Sequence, residues 1–136
     1  MSLLIDTNVF LWAAGIDSSL SDSAKALLSD PDQQIFFSAV TAWEIAIKWS
    51  NGRLTLPAEP LEVINNVVSA AGMSQLPITL KDASAVAELP FHHKDPFDRL
   101  LVAQARLHGL KLMTAEPILE QYDVDVIALW LGPDDE

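Results

Sequence analysis

Short hydrophobic runs alternate along this chain with stretches in which apolar residues recur at helical spacing. Short continuous apolar runs are typical of buried strands in a parallel sheet that helices cover on both faces. They predict strands at residues 2–5, 34–37, 76–79, 110–113 and 124–129. The intervening patterns predict helices at residues 7–14, 22–29, 39–50, 61–71, 81–88 and 96–108, and a short helix from residue 117. This alternation indicates an α/β fold with a mainly parallel central sheet.

Capping and turn residues support these boundaries. Ser21 and Ser38 directly precede helical segments, and serine is a preferred N-cap residue. Gly109 follows the last long helical segment, where glycine commonly closes a helix. No linker or internal repeat interrupts the pattern, so residues 1–136 are expected to form a single domain. The acidic tail at about 132–136 is expected to be frayed.

Four carboxylates lie against apolar sequence, where an ionised group is costly to bury: Asp6, Glu44, Asp98 and Glu116. Asp6 and Glu116 follow predicted strands, and the carboxyl ends of parallel strands form the edge where ligand crevices occur. Glu44 and Asp98 lie on predicted helices that can face the same edge. Carboxylates that converge can share divalent cations, and ligand sets made only of oxygen suit Mg²⁺ or Mn²⁺. The sequence therefore predicts a metal-dependent phosphoester hydrolase.

Each acid also has an ordinary explanation. Asp6 can cap the helix that follows it, since aspartate is a good N-cap. Glu44 can form an i,i+4 ion pair with Lys48. Asp95 precedes Pro96, which suits the first turn of a helix, so Asp95 is expected to cap that helix or to support the site indirectly. The residues alone leave these interpretations open beside the metal-binding one.

Several other kinds of chemistry find no support. His92 and His93 are adjacent on a predicted loop, and no His-Glu-x-x-His spacing accompanies them, so a loop or substrate-contact role is favoured over zinc binding. The chain has no glycine-rich phosphate loop of the Rossmann or P-loop type. It also lacks a nucleophile-elbow sequence, which excludes the common triad hydrolases.

The composition bears on partners and on location. The net charge of −11 argues against nucleic-acid binding unless bound cations offset it where the substrate lies. Half of the residues are hydrophobic, a surplus that suggests apolar surface covered by a second copy, and we expect a homodimer. No apolar stretch is long enough to span a membrane, and no signal peptide is evident. Together with the absence of cysteine, this predicts a cytoplasmic protein.

Four motifs give the chain a specific resemblance. They are LIDTN at residues 4–8, SAVTAWEIAIK at 38–48, HHKDPFDRLLVAQA at 92–105 and LMTAE at 112–116. With these motifs in this order, the chain resembles the PIN-domain family, and within it the VapC-like toxins of bacterial toxin–antitoxin pairs. The resemblance implies a three-layer α/β/α sandwich, an endoribonuclease that uses one or two Mg²⁺ or Mn²⁺ ions, and a cognate antitoxin protein as inhibitor.

The resemblance also assigns roles to residues. It places metal-binding, catalytic acids at Asp6, Glu44 and Asp98, and the family's fourth acid, usually aspartate, falls on Glu116. Three further positions look like partners of the ligand carboxylates, namely Thr7, Asn8 and Thr114. Lys48 and Arg99, two of the few cations near the motifs, are expected to contact the RNA substrate. The departure at Glu116 leaves open a non-catalytic PIN-like module that binds RNA or protein, and a metal-dependent DNase or other phosphohydrolase is a further alternative.

Overall fold

The structure is a computed structural model that describes residues 2–16 and 20–129, so the predicted acidic tail lies outside the described residues. The strands are β1 Ser2–Ile5, β2 Gln34–Ser38, β3 Ser74–Leu76, β4 Lys111–Thr114 and β5 Val126–Ala128. The helices are α1 Thr7–Ala13, α2 Asp22–Ser29, α3 Ala39–Ser50, α4 Pro60–Ala71, α5 Leu80–Ala85 and α6 Pro96–His108. Short 3₁₀ turns follow at Val86–Glu88 and Pro117–Gln121.

The strands form one sheet in the order β3-β2-β1-β4-β5. Every pairing in it is parallel, which confirms the predicted sheet. The strand order reverses direction between β1 and β4, because the chain first adds strands on one side of β1 and then on the other. Such a switch point opens a crevice at the carboxyl ends of the two strands, and the predicted site residues Asp6 and Glu116 follow these strands.

Two hydrophobic cores lie on opposite faces of the sheet. Along β1, Leu3 and Ile5 belong to one core and Leu4 belongs to the other, as the alternation of side chains along a strand requires. Helices α1, α2 and α4 contribute to the first core, whereas α6 contributes most of the helical side chains of the second. The molecule is therefore the three-layer α/β/α sandwich that the resemblance implied.

Two predicted segments differ from the structure. A strand was predicted at residues 76–79, but β3 ends at Leu76, because Pro77 has no N–H to continue the pairing. A helix was predicted at residues 81–88, but α5 ends at Ala85 and the chain tightens into a 3₁₀ turn. Near this turn the buried guanidinium of Arg99 donates hydrogen bonds to main-chain carbonyl groups and fixes their direction. The other elements agree with the prediction to within two residues, as far as they are described.

None of the helices in the described ranges combines the length and the apolar character that a bilayer crossing would require.

A buried polar cluster ties α5 and α6 to the start of α3. The carboxylate of Asp82, which is fully buried, accepts hydrogen bonds from the Thr79 N–H, from Gln104 Nε2 and from His108 Nε2. On its other side, Gln104 Oε1 accepts a hydrogen bond of 2.5 Å from Ser38 Oγ. Burial alone would raise the pKa of Asp82, but these hydrogen bonds and the neighbouring His108 outweigh it, so the pKa lies below its ordinary value of 3.8.

The Asp82 cluster predicts a pH-dependent effect of Asp82→Asn on stability. At pH 7 the variant should be less stable by about 2 kcal/mol, because the amide leaves a buried donor without an acceptor. Since the pKa of Asp82 is lower in the folded than in the unfolded protein, its contribution is present above pH 3.8 and is lost as the pH falls below it. Urea unfolding of both proteins between pH 3 and pH 7 measures the difference. The exposed control Asp123→Asn should change stability little at any pH, and a pH-independent effect of Asp82→Asn would contradict the prediction.

Candidate metal centre

A small polar cavity of about 160 Å³ opens at the carboxyl ends of β1 and β4. The structure brings all four predicted carboxylates together around it, although they come from four separate segments of the chain. The lining residues are Asp6, Thr7, Asn8, Glu44, Lys48, Asp95, Asp98 and Glu116. Acidic side chains from the sheet edge and from the N-terminal turn of α6 therefore surround the same cavity.

Asp6 lies directly after β1 and is only 3% exposed. Its Oδ1 accepts a hydrogen bond from the Val9 N–H and caps α1, as the ordinary explanation predicted. Its Oδ2 accepts hydrogen bonds from Thr114 Oγ1 at 2.5 Å and from the Ala115 N–H at 3.3 Å. Burial nevertheless raises the pKa of Asp6 against the effect of these donors, and the negative charge of Glu44 adds to the rise. Asp6 is therefore a well-held carboxylate, and no basic side chain in the described ranges forms an ion pair with it.

Glu44 projects from α3 toward the same cavity and is also buried. Thr7 Oγ1 donates a hydrogen bond of 2.6 Å to its Oε1, which agrees with a supporting position for Thr7. Lys48 Nζ lies 2.7 Å from its Oε2, so the i,i+4 ion pair of the ordinary explanation is present. Lys48 thus has its amine at the cavity and pairs with a candidate ligand, and about two fifths of its side chain is exposed.

Asp95 and Asp98 lie at the start of α6. Asp95 Oδ1 accepts hydrogen bonds from the N–H groups of Phe97 and Asp98, so the predicted cap is confirmed. Asp98 Oδ2 lies 2.9 Å from His93 Nε2. Burial, together with the nearby charges of Asp95, Asp6 and Glu44, raises the pKa of Asp98 to about 6 despite this contact. Asp95, Asp6 and Glu44 are thus close enough to Asp98 to oppose its ionisation.

Glu116 and Asn8 complete the lining of the cavity. Glu116 is half-buried at the start of the 3₁₀ turn, and its N–H donates to Thr114 Oγ1, the hydroxyl that binds Asp6. Thr114 therefore links the main chain at Glu116 to the carboxylate of Asp6, which agrees with its predicted supporting position. Asn8 is exposed at the rim.

Arg99 is buried and its guanidinium binds groups of the protein itself, whereas the sequence predicted a contact with the substrate. The residue is only 5% exposed, and its guanidinium donates to main-chain carbonyl oxygens and to Tyr122 Oη. The carbonyl groups that it binds belong to Val86, Leu89, Pro90 and His93. Its ring contact is with Phe91, 4.3 Å from the guanidinium carbon. Arg99 therefore holds the loop before α6 and is not free to bind phosphate.

His93 is the contact that reasoning from the sequence missed. The sequence favours a loop or substrate-contact role for both histidines, because no His-Glu-x-x-His spacing accompanies them. In the structure only His93 reaches an acid of the cavity, whereas the ring of His92 packs edge-on against Tyr122. Candidate ligand atoms of His93, Asp95 and Asp98 all lie within 4.8 Å of one another. The available signal was the five-residue spacing from His93 to Asp98, which a turn before the helix can close.

The donor set fits a divalent cation. It consists of carboxylate oxygens, and burial and mutual repulsion raise the pKa values of Asp6 and Asp98. Positive charge at the cavity is the compensation that such a group of acids requires. Lys48 supplies one positive charge, which is already paired with the carboxylate of Glu44. Asp6, Glu44 and Asp98 are the residues that could hold the ion, with Glu116 in reach of the same cavity.

Comparisons with known proteins support the fold. The chain is similar to the toxin–antitoxin complex VapBC2 from Rickettsia felis, solved with a promoter DNA fragment, at TM-score 0.71 and 13% identity over 94% of this chain and 98% of that one. It is similar to FitAcB from Neisseria gonorrhoeae, at TM-score 0.61 and 21% identity over 96% and 99% of the two chains. A toxin–antitoxin complex from Klebsiella pneumoniae gives TM-score 0.62 and 18% identity over 93% and 96%.

Sequence comparison defines the family. Among curated proteins there is no match to the chain. The sequence model of the family described as PIN domain matches residues 3–125, which include every acid that lines the cavity and nearly all of the described fold. The chain therefore belongs to the PIN domain family, with a fold like that of VapC-type toxins.

Proposed function

We propose that this protein is a metal-dependent endoribonuclease and the toxin of a toxin–antitoxin pair. The observation that carries the proposal is the convergence of Asp6, Glu44, Asp98 and Glu116 on one cavity at the switch point of the sheet. PIN domains are generally nucleases, and the structures similar to this chain are toxin–antitoxin complexes. We place the protein in the cytoplasm, a compartment that suits a chain without cysteine.

The proposed mechanism assigns a role to each part of the site. Asp6, Glu44 and Asp98 would hold Mg²⁺ or Mn²⁺, and Asp6 and Glu116 would be the ligands of a second ion. Such an ion would supply a water molecule of lowered pKa and positive charge beside the scissile phosphate. Thr7 and Thr114 fix the carboxylates of Glu44 and Asp6 through the hydrogen bonds described above.

The remaining residues act on the phosphate and on the products. Lys48, which pairs with Glu44 Oε2, can also contact a phosphate oxygen, since part of its side chain is exposed at the cavity. Water attacks phosphorus and displaces the 3′ oxygen of the preceding nucleotide, so the products carry a 5′-phosphate and a 3′-hydroxyl. No protein nucleophile is required.

This proposal predicts that Asp6→Asn abolishes RNA cleavage. With Mg²⁺ or Mn²⁺ the wild-type protein should cut a structured RNA, and the variant should be slower by about 100-fold or more, because it loses a ligand carboxylate. Gel analysis of end-labelled RNA measures the rates, and sequencing of the cut ends gives the site.

The matched control is Asp123→Asn, because the Asp123 side chain is 97% exposed and does not line the acidic cavity. It should cleave at the wild-type rate. Equal cleavage by Asp6→Asn, or cleavage by the wild type in excess chelator, would contradict the mechanism. Faster cleavage of DNA than of RNA in the same assay would instead support a DNase.

A second candidate is a PIN-like module that binds RNA or protein without turnover. Glu116 favours it, because a longer acid stands where the family usually has aspartate. This candidate predicts RNA binding without metal-dependent cleavage. Glu116→Asp distinguishes the two, since it should increase cleavage only if the site is catalytic.

For the antitoxin we propose a groove, lined by both apolar and polar side chains, on the side of the molecule where α1, α2 and α4 pack. The groove has a volume of about 910 Å³ and includes Trp12, Leu28, Val67 and Met73. It also contains Ile35, near the amino end of β2, so it lies toward the sheet edge opposite the acidic cavity. Apolar side chains of a partner would remove this surface from water.

The groove proposal predicts that Ala70→Glu weakens antitoxin binding. Ala70 is exposed and lines the groove, so a glutamate there would place a charge in the proposed interface without disturbing the core. Ser69→Glu is the control, because Ser69 is the exposed neighbour that does not line the groove. Calorimetric titration with the co-encoded antitoxin should show an affinity at least about tenfold lower for Ala70→Glu, and no such loss of affinity for Ser69→Glu. Equal affinities would contradict the location.

We also propose a homodimer. Large apolar side chains are exposed on the segments that pack around α6, with Leu80 92% exposed, Phe91 87% and Trp43 57%. Leu80→Glu should therefore yield a monomer by light scattering. Leu61→Glu, at a leucine on α4 that is 70% exposed and lies in the other helical layer, should leave the dimer intact. A monomeric wild type, or dimers in both variants, would contradict this proposal.

A further inference from the structure

We propose that His93 is a nitrogen ligand of the metal centre and that it makes the site favour Mn²⁺ over Mg²⁺. This inference deepens the proposed function, because it concerns the same centre, but metal binding can be tested apart from RNA cleavage. It gives the loop before α6 a role in the choice between the two metal ions, which the carboxylates alone do not provide.

The distance between His93 and Asp98 is the first argument. His93 Nε2 lies 2.9 Å from Asp98 Oδ2. Around an octahedral ion with bonds of about 2.1 Å, neighbouring ligand atoms lie about 3 Å apart. The two atoms are therefore already spaced as adjacent ligands of one ion, and Asp95 lies in the same cluster with one oxygen not used by the helix cap.

The second argument is that the loop is held in place. The His93 N–H donates to Tyr122 Oη at 3.0 Å, and the His93 carbonyl accepts from the Arg99 guanidinium. The same guanidinium also donates to Tyr122 Oη. A buried cation and a phenol thus fix the main chain on both sides of the imidazole, so the ring reaches Asp98 with little freedom left to lose on binding.

The chemistry of the donor set gives the selectivity. Mg²⁺ prefers oxygen ligands and keeps several waters, whereas imidazole nitrogen is a good ligand for first-row transition ions. A set of two or three carboxylates with one imidazole therefore shifts the preference from Mg²⁺ toward Mn²⁺. Ligation requires the ring to be neutral, with its hydrogen on Nδ1.

A simpler role for His93 is that of a hydrogen-bond donor that only steadies Asp98. The two roles differ in measurable ways. If His93 only donates a hydrogen bond, it contacts a carboxylate oxygen that either metal would need. Replacing His93 would then leave the ratio of the Mn²⁺ affinity to the Mg²⁺ affinity unchanged. A ligand adds a nitrogen to the ion itself, so its removal would lower the affinity for Mn²⁺ much more than that for Mg²⁺.

The experiment uses Mn²⁺ alone as the probe of the full chain. Pulsed electron paramagnetic resonance of the Mn²⁺-loaded wild type should show imidazole nitrogen modulation. His93→Gln should remove the modulation, lower Mn²⁺ affinity about tenfold by calorimetry, and change Mg²⁺ affinity by less than about threefold. His92→Gln is the matched control, since it alters the adjacent ring that packs on Tyr122, and it should retain both the modulation and the affinity.

The outcomes separate this inference from the proposed function. Nitrogen modulation from His93 in a protein that cuts no RNA would support the inference and contradict the nuclease. RNA cleavage with no nitrogen modulation, or with modulation that survives in His93→Gln, would overturn the inference alone. Equal losses of Mn²⁺ and Mg²⁺ affinity in His93→Gln would overturn it as well, and a wild type that binds neither ion would overturn both.

Discussion

The buried carboxylate of Asp6 is the constraint around which the site is built. An ionised group in that position needs donors in fixed places, and the pairing of β1 with β4 supplies them. Ile5 lies opposite Met113 in the sheet, and the Asp6 N–H donates to the Met113 carbonyl at 3.0 Å. This register brings Thr114 and Ala115 to the Asp6 carboxylate. A shift of one residue between the two strands would remove these donors and leave the charge unsatisfied.

The same constraint explains why the sequence predicted so much of the site. Asp6 and Glu116 could be placed because a residue that directly follows a buried strand lies at a known edge of a parallel sheet. Glu44 could be placed because the helix that follows β2 begins at that edge, and Asp98 because the helix that leads into β4 begins there too. These inferences need only the order of elements and their periods, which short-range patterns carry.

The roles of His93 and Arg99 depend on contacts that no local pattern contains. Arg99 was expected at the substrate because it is a cation within a site motif, but its partners are carbonyl groups of a loop whose path the sequence does not specify. The position of His93 depends in turn on that loop and on Tyr122, which comes from a distant segment. The early end of β3 could have been predicted, because Pro77 lies in the predicted strand. The hydrogen bonds from Arg99 to main-chain groups could not be predicted from the sequence.

The Ser38–Gln104 hydrogen bond has a mechanical consequence for the centre. Ser38 begins the helix that carries Glu44, and Gln104 lies on the helix that carries Asp98. The buried side-chain amide of Gln104 therefore links α3 to α6, so the two helices that carry Glu44 and Asp98 are held to each other. Thermal motion should move the two carboxylates together. The distance between them should therefore vary less than the position of either one.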